Sequence, residues 1–353
     1  MERMREDFLD RIYEGNLTRG DIDSLLALDD DTIFRIADEL RAQSVGDIVT
    51  YVVNRNINFT NRCIGRCMFC AFRADDGYLL TIDEILKKVE EAENAGATEI
   101  CIQGGLINGW GVERYCEILE EIKSRHPSIH LHAYSPMEVM HAARNSNLPL
   151  EEVLSRLKSA GLGSMPGTAA EILSDRVRRI ICPTKLTTSE WVEVITTAHR
   201  LGIPTTATMM FGHIETERER LEHIFTIKEI QDRTGGFTEF VPLPFVSGNT
   251  ELGPMSKGLR LVDHLRTHAL ARIILHGSIR NIQVSWVKLG PHTAQTLLFH
   301  GVNDLGGTLM EENISRMAGS PFGEYMSPED FKDLIRSAGR IPRQRTTLYE
   351  IIS

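Results

Sequence analysis

The sequence predicts an α/β protein, a (βα)8 TIM-type barrel with an N-terminal helical layer, on three observations. From residue 50 onward, short β-branched runs alternate with amphipathic segments, the pattern of repeated βα units around a parallel sheet. Eight such units can be counted, the number that closes a barrel. Several helical segments end in Ala95-Gly96, Ala160-Gly161 and Leu201-Gly202, where glycine supplies the left-handed conformation of a helix end. Residues 1–48 form the helical layer in this reading, and 49–353 the barrel with a C-terminal extension.

In the layer, Thr18 with Asp21 reads as an N-cap pair ahead of Ile22, Leu25 and Leu26, and Asp30 precedes Ile33, Ile36 and Leu40 at helical spacing. Strands are expected near 52–59, 98–103, 128–134, 162–165, 203–211, 236–243, 280–285 and 300–303. Helices are expected at 81–95, 111–125, 149–160, 187–201, 217–233 and 260–276. In such a barrel the chemistry sits on the loops after the strands, so residues just past each strand become candidates and residues inside helices do not.

The 353 residues are 42% hydrophobic and 25% charged, ample for a large core. Of the net charge of -10, residues 1–50 carry -7, with 13 Asp and Glu against 6 Lys and Arg. The rest is nearly balanced, which argues against a nucleic-acid partner. The run Arg340, Arg343 and Arg345 reads as a surface or ion-pairing feature. No stretch of 18 apolar residues and no leader-like apolar segment occurs, so no membrane role and a cytoplasmic location are expected. In a reducing cytoplasm, clustered thiols point to a metal rather than to disulfides.

Such a cluster is Asn58-Phe-Thr-Asn-Arg-Cys63-Ile-Gly-Arg-Cys67-Met-Phe-Cys70-Ala-Phe72, on the loop after the first strand. Structural zinc needs four ligands, and no second pair with zinc spacing accompanies these three. Ferredoxin runs also use four thiolates at other spacings. Three thiolates leave one iron of a [4Fe-4S] cluster open to a small molecule. Cys101, Cys116 and Cys182 read as structural.

Cys63-x3-Cys67-x2-Cys70, with the aromatic Phe69 before the last cysteine, resembles the radical S-adenosylmethionine (SAM) signature. The resemblance implies that Cys63, Cys67 and Cys70 hold the cluster beside Phe69 and Phe72. It further implies that the open iron chelates SAM, and that one electron cleaves the sulfonium to methionine and a 5′-deoxyadenosyl radical. Gln103-Gly104-Gly105 is similar to the superfamily's Gly-Gly-Glu motif for the methionine amino group, although Leu106 stands where the acid belongs. Ser135 and Glu171, after the third and fourth strands, are further expected SAM contacts, Glu171 toward the ribose hydroxyls or the amino group. Other strand ends offer His213 and Asp304 as catalytic groups, and Tyr134, Gln283 and Asn303 as substrate contacts.

Longer stretches, among them Met165-Pro-Gly-Thr-Ala-Ala-Glu-Ile-Leu173 and Gly235-Gly-Phe-Thr-Glu-Phe-Val-Pro-Leu-Pro-Phe245, resemble one group within that superfamily, over nearly the whole chain from about residue 45. The group holds the second subunit of the FO (7,8-didemethyl-8-hydroxy-5-deazariboflavin) synthase and two futalosine-route menaquinone enzymes, aminofutalosine synthase and dehypoxanthine futalosine cyclase. The two stretches are most similar to the deazaflavin subunit. That likeness implies hydrogen abstraction from L-tyrosine, cleavage to 2-iminoacetate and a 4-hydroxybenzyl fragment, and attachment of the fragment to C5 of 5-amino-6-(D-ribitylamino)uracil. It also implies a low-potential electron donor and, since there is one three-cysteine loop, a separate first subunit of FO synthase. The alternative is a futalosine-route enzyme using the same barrel.

Overall fold

A computed structural model describes residues 2–352 of the chain. Its strands are β1 (Ile48–Val52), β2 (Asn54–Asn58), β3 (Glu99–Gln103), β4 (His130–Ala133), β5 (Thr205–Phe211), β6 (Phe237–Pro244), β7 (Asp304–Gly307) and β8 (Ile341–Gln344). β1 and β2 are one stave of eleven residues broken at Val53: β2 pairs with β3, and β1 with β7. β3 pairs with β4, and the parallel bridges His132–Ser164 and Met165–Thr205 carry the ladder to β5. β5 pairs with β6, and the bridges Phe240–Ile282 and Gln283–Asp304 return it to β7. The circuit closes as eight parallel staves, the expected (βα)8 barrel.

Two staves are reduced to bridges for local reasons. Pro166 offers no amide to extend the fourth, and the helix Trp286–Leu289 begins three residues after Gln283. The last stave is displaced from the expected 300–303, because Gly301 turns at φ +93 against the Arg272 side chain and delays the strand to Asp304. Asn303 and Asp304 therefore stand at the entrance of that strand and not at its exit. The first stave likewise runs 48–58 rather than 52–59.

The six expected helices are present within two residues at each end. Six more lie outside the expected ranges: Pro136–Ser146, Asp175–Ile181, Trp286–Leu289, Pro291–Leu297, Asn313–Met317 and Pro328–Ser337. Pro136 looks like a breaker but is the first helical residue, where its missing N–H costs nothing. Ser135 caps that helix, with Glu138 closing the box. β8 was also unforeseen and adds an outer strand to β1. In the N-terminal layer the Thr18–Asp21 cap is present, whereas the long helix Asp30–Val45 is capped by Asp29, which accepts from the Thr32 amide at 2.9 Å. That helix lies on Leu261–Leu275, whose residues Thr267 to Leu275 are all buried, since the barrel covers one side and the layer the other.

The lower barrel is polar, and one residue neutralises it. Arg345, entering from beyond β8, sets Nε 2.6 Å from Asp304 Oδ2 and Nη2 3.1 Å from Oδ1, with Glu239 of β6 at 3.4 Å. Asp304 also accepts from Thr50 of β1, Gln283 turns its amide nitrogen to Glu239, and the Tyr349 hydroxyl donates to Glu239. Burial pushes Glu239 up to about 7, against the pull of Arg345. Removing one partner of a buried pair leaves an uncompensated charge, so Arg345→Met should cost about 3–5 kcal/mol. A denaturant midpoint near that of the wild type would show that the barrel does not depend on this guanidinium.

Candidate active site at the barrel mouth

The three cysteines lie on the loop between β2 and the helix Ile82–Asn94, a loop tied at its base by the bridges Thr60–Leu79 and Arg62–Ala74. Arg73 Nε donates to the Cys63 carbonyl at 3.0 Å. All three thiols are half-buried and line one cavity of about 240 Å³ over the barrel mouth. Among the described residues, no three His, Cys, Asp or Glu side chains converge as ligands of a single ion. A cube of iron and sulfur, held at three corners, spans separated thiols. Burial pushes the Cys67 thiol up to about 12, opposed by the ammonium of Lys185, so metal binding here must displace protons.

The two glycines after β3 are required by close approach. A Cβ at Gly105 would meet the Arg62 carbonyl oxygen at 2.0 Å, and one at Gly104 the Phe59 ring at 2.4 Å. The cysteine loop thereby settles on the end of β3, where the amides of Gly65 and Leu106 both donate to Cys63 Sγ at 3.3 Å. The next stave places a carboxylate beside this turn. Glu138 accepts from the Gly104 amide at 3.0 Å with Oε1, and from Ser135 with Oε2, on the wall of the same cavity. Its Ser135-x-x-Glu138 spacing is a capping box readable in the sequence, and was the available signal.

Phe69, Phe72, Gln103, Ser135 and Glu171 line this cavity as well. Gln103 donates to Thr168 Oγ1 at 2.6 Å. Glu171, at φ +46, meets Lys185 Nζ at 2.6 Å, and that ammonium stands 5.2 Å from the Phe69 ring centroid. Burial works to lower the Lys185 ammonium, but Glu171 and Cys67 prevail and raise it. The buried Arg178 fixes the preceding backbone, donating to the carbonyls of Ala169 and Ala170.

A second cavity of about 240 Å³ adjoins the first, sharing Thr168 and Ile314. Gln283, Ser285, Lys288, Glu312 and Ser315 face it. Of these only Gln283 was foreseen. Lys288 lies on the short helix Trp286–Leu289 just past the seventh stave, and the sequence reading does not single it out.

Four expected site residues are placed elsewhere. Tyr134, at φ +61, is fully buried against Tyr115 and Phe59, its hydroxyl donating to the Tyr115 carbonyl at 2.8 Å. The His213 side chain has no exposed surface; Nε2 faces the Met210 carbonyl at 3.1 Å and Nδ1 the Ile214 amide at 2.8 Å. Asn303 is consumed by Arg272, Asn281 and the Ile282 amide, and Asp304 by Arg345 and Thr50, all in the lower barrel. The displaced last strand explains the latter two. The first two follow their strands as expected but turn inward to satisfy backbone groups.

The radical SAM superfamily profile matches residues 57–227, and that of the CofH/MqnC C-terminal region matches 234–353. A 5-amino-6-(D-ribitylamino)uracil–L-tyrosine 4-hydroxyphenyl transferase of Methanosarcina barkeri is 57% identical, over 99% of this chain and 94% of its own. One of Archaeoglobus fulgidus is 59% identical over 93% of this chain and 97% of its own. Among solved structures, methylornithine synthase (PylB) superposes with a TM-score of 0.73 at 17% identity, covering 95% of this chain and 97% of that one. The [FeFe]-hydrogenase maturase HydG superposes at 0.77 and 14% identity, covering 98% and 77%. Both show the same fold.

Burial raises Glu138 from 4.5 to about 7, against the pull of its hydrogen bonds from Ser135 and Gly104. The native state then binds a proton that the unfolded chain has released, so stability falls as pH rises between those values. Relative to Glu138→Gln, the wild type should lose on the order of 3 kcal/mol across that window, at about 1.4 kcal/mol per unit. Chemical unfolding of both proteins at pH 5 and pH 8 checks this, and parallel profiles would refute it.

Proposed function

This chain belongs to the family of 5-amino-6-(D-ribitylamino)uracil–L-tyrosine 4-hydroxyphenyl transferases, within the radical SAM superfamily, and we propose on that premise that it joins the 4-hydroxybenzyl group of L-tyrosine to 5-amino-6-(D-ribitylamino)uracil. The reaction releases 2-iminoacetate, methionine and 5′-deoxyadenosine, in the biosynthesis of the deazaflavin FO. The observation that carries the reading is the adjoining pair of cavities, one lined by three thiols and the other setting Gln283, Ser285, Lys288, Glu312 and Ser315 in a mostly apolar wall.

Cys63, Cys67 and Cys70 would hold a [4Fe-4S] cluster at three corners, and SAM would lie beside it. When bound, these groups supply one-electron cleavage of SAM and a radical that abstracts hydrogen. The chain's own residues bind and orient. Glu138 and Glu171 offer carboxylates to the amino and hydroxyl groups of SAM, with Lys185 holding Glu171 in place. Gly104 and Gly105 let a ligand approach the main chain, and Phe69 and Phe72 wall the cavity and exclude water. In the adjoining chamber Gln283 and Ser285 offer hydrogen bonds to a uracil edge or a ribityl chain.

Loss of a hydrogen atom from the tyrosine amino nitrogen leads to homolysis of Cα–Cβ, which leaves 2-iminoacetate; the 4-hydroxybenzyl radical adds to C5 of the ribitylaminouracil, and the adduct gives up one electron and one proton, so that the electron which starts the cycle is returned. A low-potential electron donor must supply the electron, and the first subunit of FO synthase would close the ring. Among the described residues no helix is long and apolar enough to cross a membrane, in keeping with a cytoplasmic enzyme.

Anaerobic incubation with SAM, dithionite, tyrosine and ribitylaminouracil should yield the coupled product by mass spectrometry, together with 5′-deoxyadenosine. Cys67→Ala should lack the iron and sulfide and yield neither. Reconstituted wild-type protein that cleaves SAM without forming the coupled product would refute the substrate assignment.

A further inference from the structure

Lys288 carries a charge that no ion pair of the described residues meets at close range. It stands on the short helix Trp286–Leu289, half-buried, with its side chain on the wall of the second cavity. Its Nζ makes one hydrogen bond, to Ser315 Oγ at 2.9 Å, and among the described residues no carboxylate pairs with it within 4 Å. An ammonium has three protons to place, and away from bulk water an unpaired charge is costly. Glu312 lines the same chamber, accepts from the Ser315 amide and from Asn56 Nδ2 at 2.8 Å each, and also has no cation within 4 Å among the described residues. Two opposite charges thus face one chamber without pairing with each other.

Such a chamber is complementary to a zwitterion. We infer that Lys288 binds the carboxylate of the amino-acid substrate, with Glu312 on the side of its ammonium, and so orients tyrosine toward the adjoining thiol-lined cavity, with which this chamber shares Thr168 and Ile314. The inference rests on the function proposed above. Of the two molecules to be joined, tyrosine alone carries a carboxylate, while the ribitylaminouracil has no group that is anionic at neutral pH. Burial pulls the Lys288 ammonium below its ordinary range, with Glu312 and Glu171 acting the other way; an arriving carboxylate would restore it.

The test compares tyrosine with tyramine, which lacks the carboxylate, by equilibrium binding to the cluster-loaded enzyme with SAM and without reductant. A charge-assisted hydrogen bond of this kind makes tyrosine bind about 10- to 100-fold more tightly than tyramine in the wild type. Lys288→Met should erase that preference and raise KM for tyrosine, while leaving the iron and sulfide content intact. Lys288→Arg should keep most of the preference. Should the Met variant fail to fold, Lys288→Gln, which can still bond Ser315, serves in its place. Unchanged tyrosine affinity in the neutral variants, with a wild type that forms the coupled product, would overturn the assignment of Lys288 alone. A wild type that forms no coupled product would overturn the enzymatic reading with it.

Discussion

The arrangement at the barrel mouth depends on how the barrel's lower half handles charge. Asp304, Glu239 and Glu99 are all buried there, on strands β7, β6 and β3. Without a counter-ion they would repel one another in a medium that screens poorly. Arg345 meets two of them directly, and Thr50, Gln283 and Tyr349 complete the network. The first, sixth, seventh and eighth staves are thereby tied at one level. Their upper ends carry the cysteine loop, Lys288 and Glu312, so the register fixed below sets the spacing of the groups above.

The barrel itself was legible in the sequence, because alternation of β-branched runs with amphipathic helices is a signal repeated over three hundred residues. Its exact phase was less so. Val302 and Asn303 look like the end of a strand, yet Gly301 is a turn, and the shift of four residues moves Asp304 from the mouth to the interior. A single positive φ, which glycine hides from any pattern reading, accounts for that error. Tyr134 and His213 show a different limit. Both follow their strands as expected, but strand ends also need side chains to satisfy turned backbone, and sequence does not say which way a ring will point.

The cysteine loop was legible for the opposite reason. Its spacing would be set by the geometry of the proposed cluster rather than by the fold, so it survives unchanged in one dimension. The carboxylate at the Gly104 amide was not legible as a partner of that motif, because Glu138 reaches it from 34 residues downstream. The glycine pair and its acid belong to one unit in space and to two staves in sequence. Lys288 and Glu312 are likewise neighbours of one chamber brought together from a short helix and the start of another.

The donors to Cys63 Sγ are main-chain amides, those of Gly65 and Leu106. Hydrogen bonds to the sulfurs of an iron–sulfur centre shift its reduction potential, so with a cluster bound these backbone amides would help to set its potential at this corner. Substitutions at Leu106 other than proline leave the amide where it is, whereas changes that move the loop, at Gly65 or Gly105, would reach it. The chamber beside it is built from side chains and is open to alteration one residue at a time. Divergence along this scaffold can therefore retune what is bound while the electron chemistry stays insulated from it.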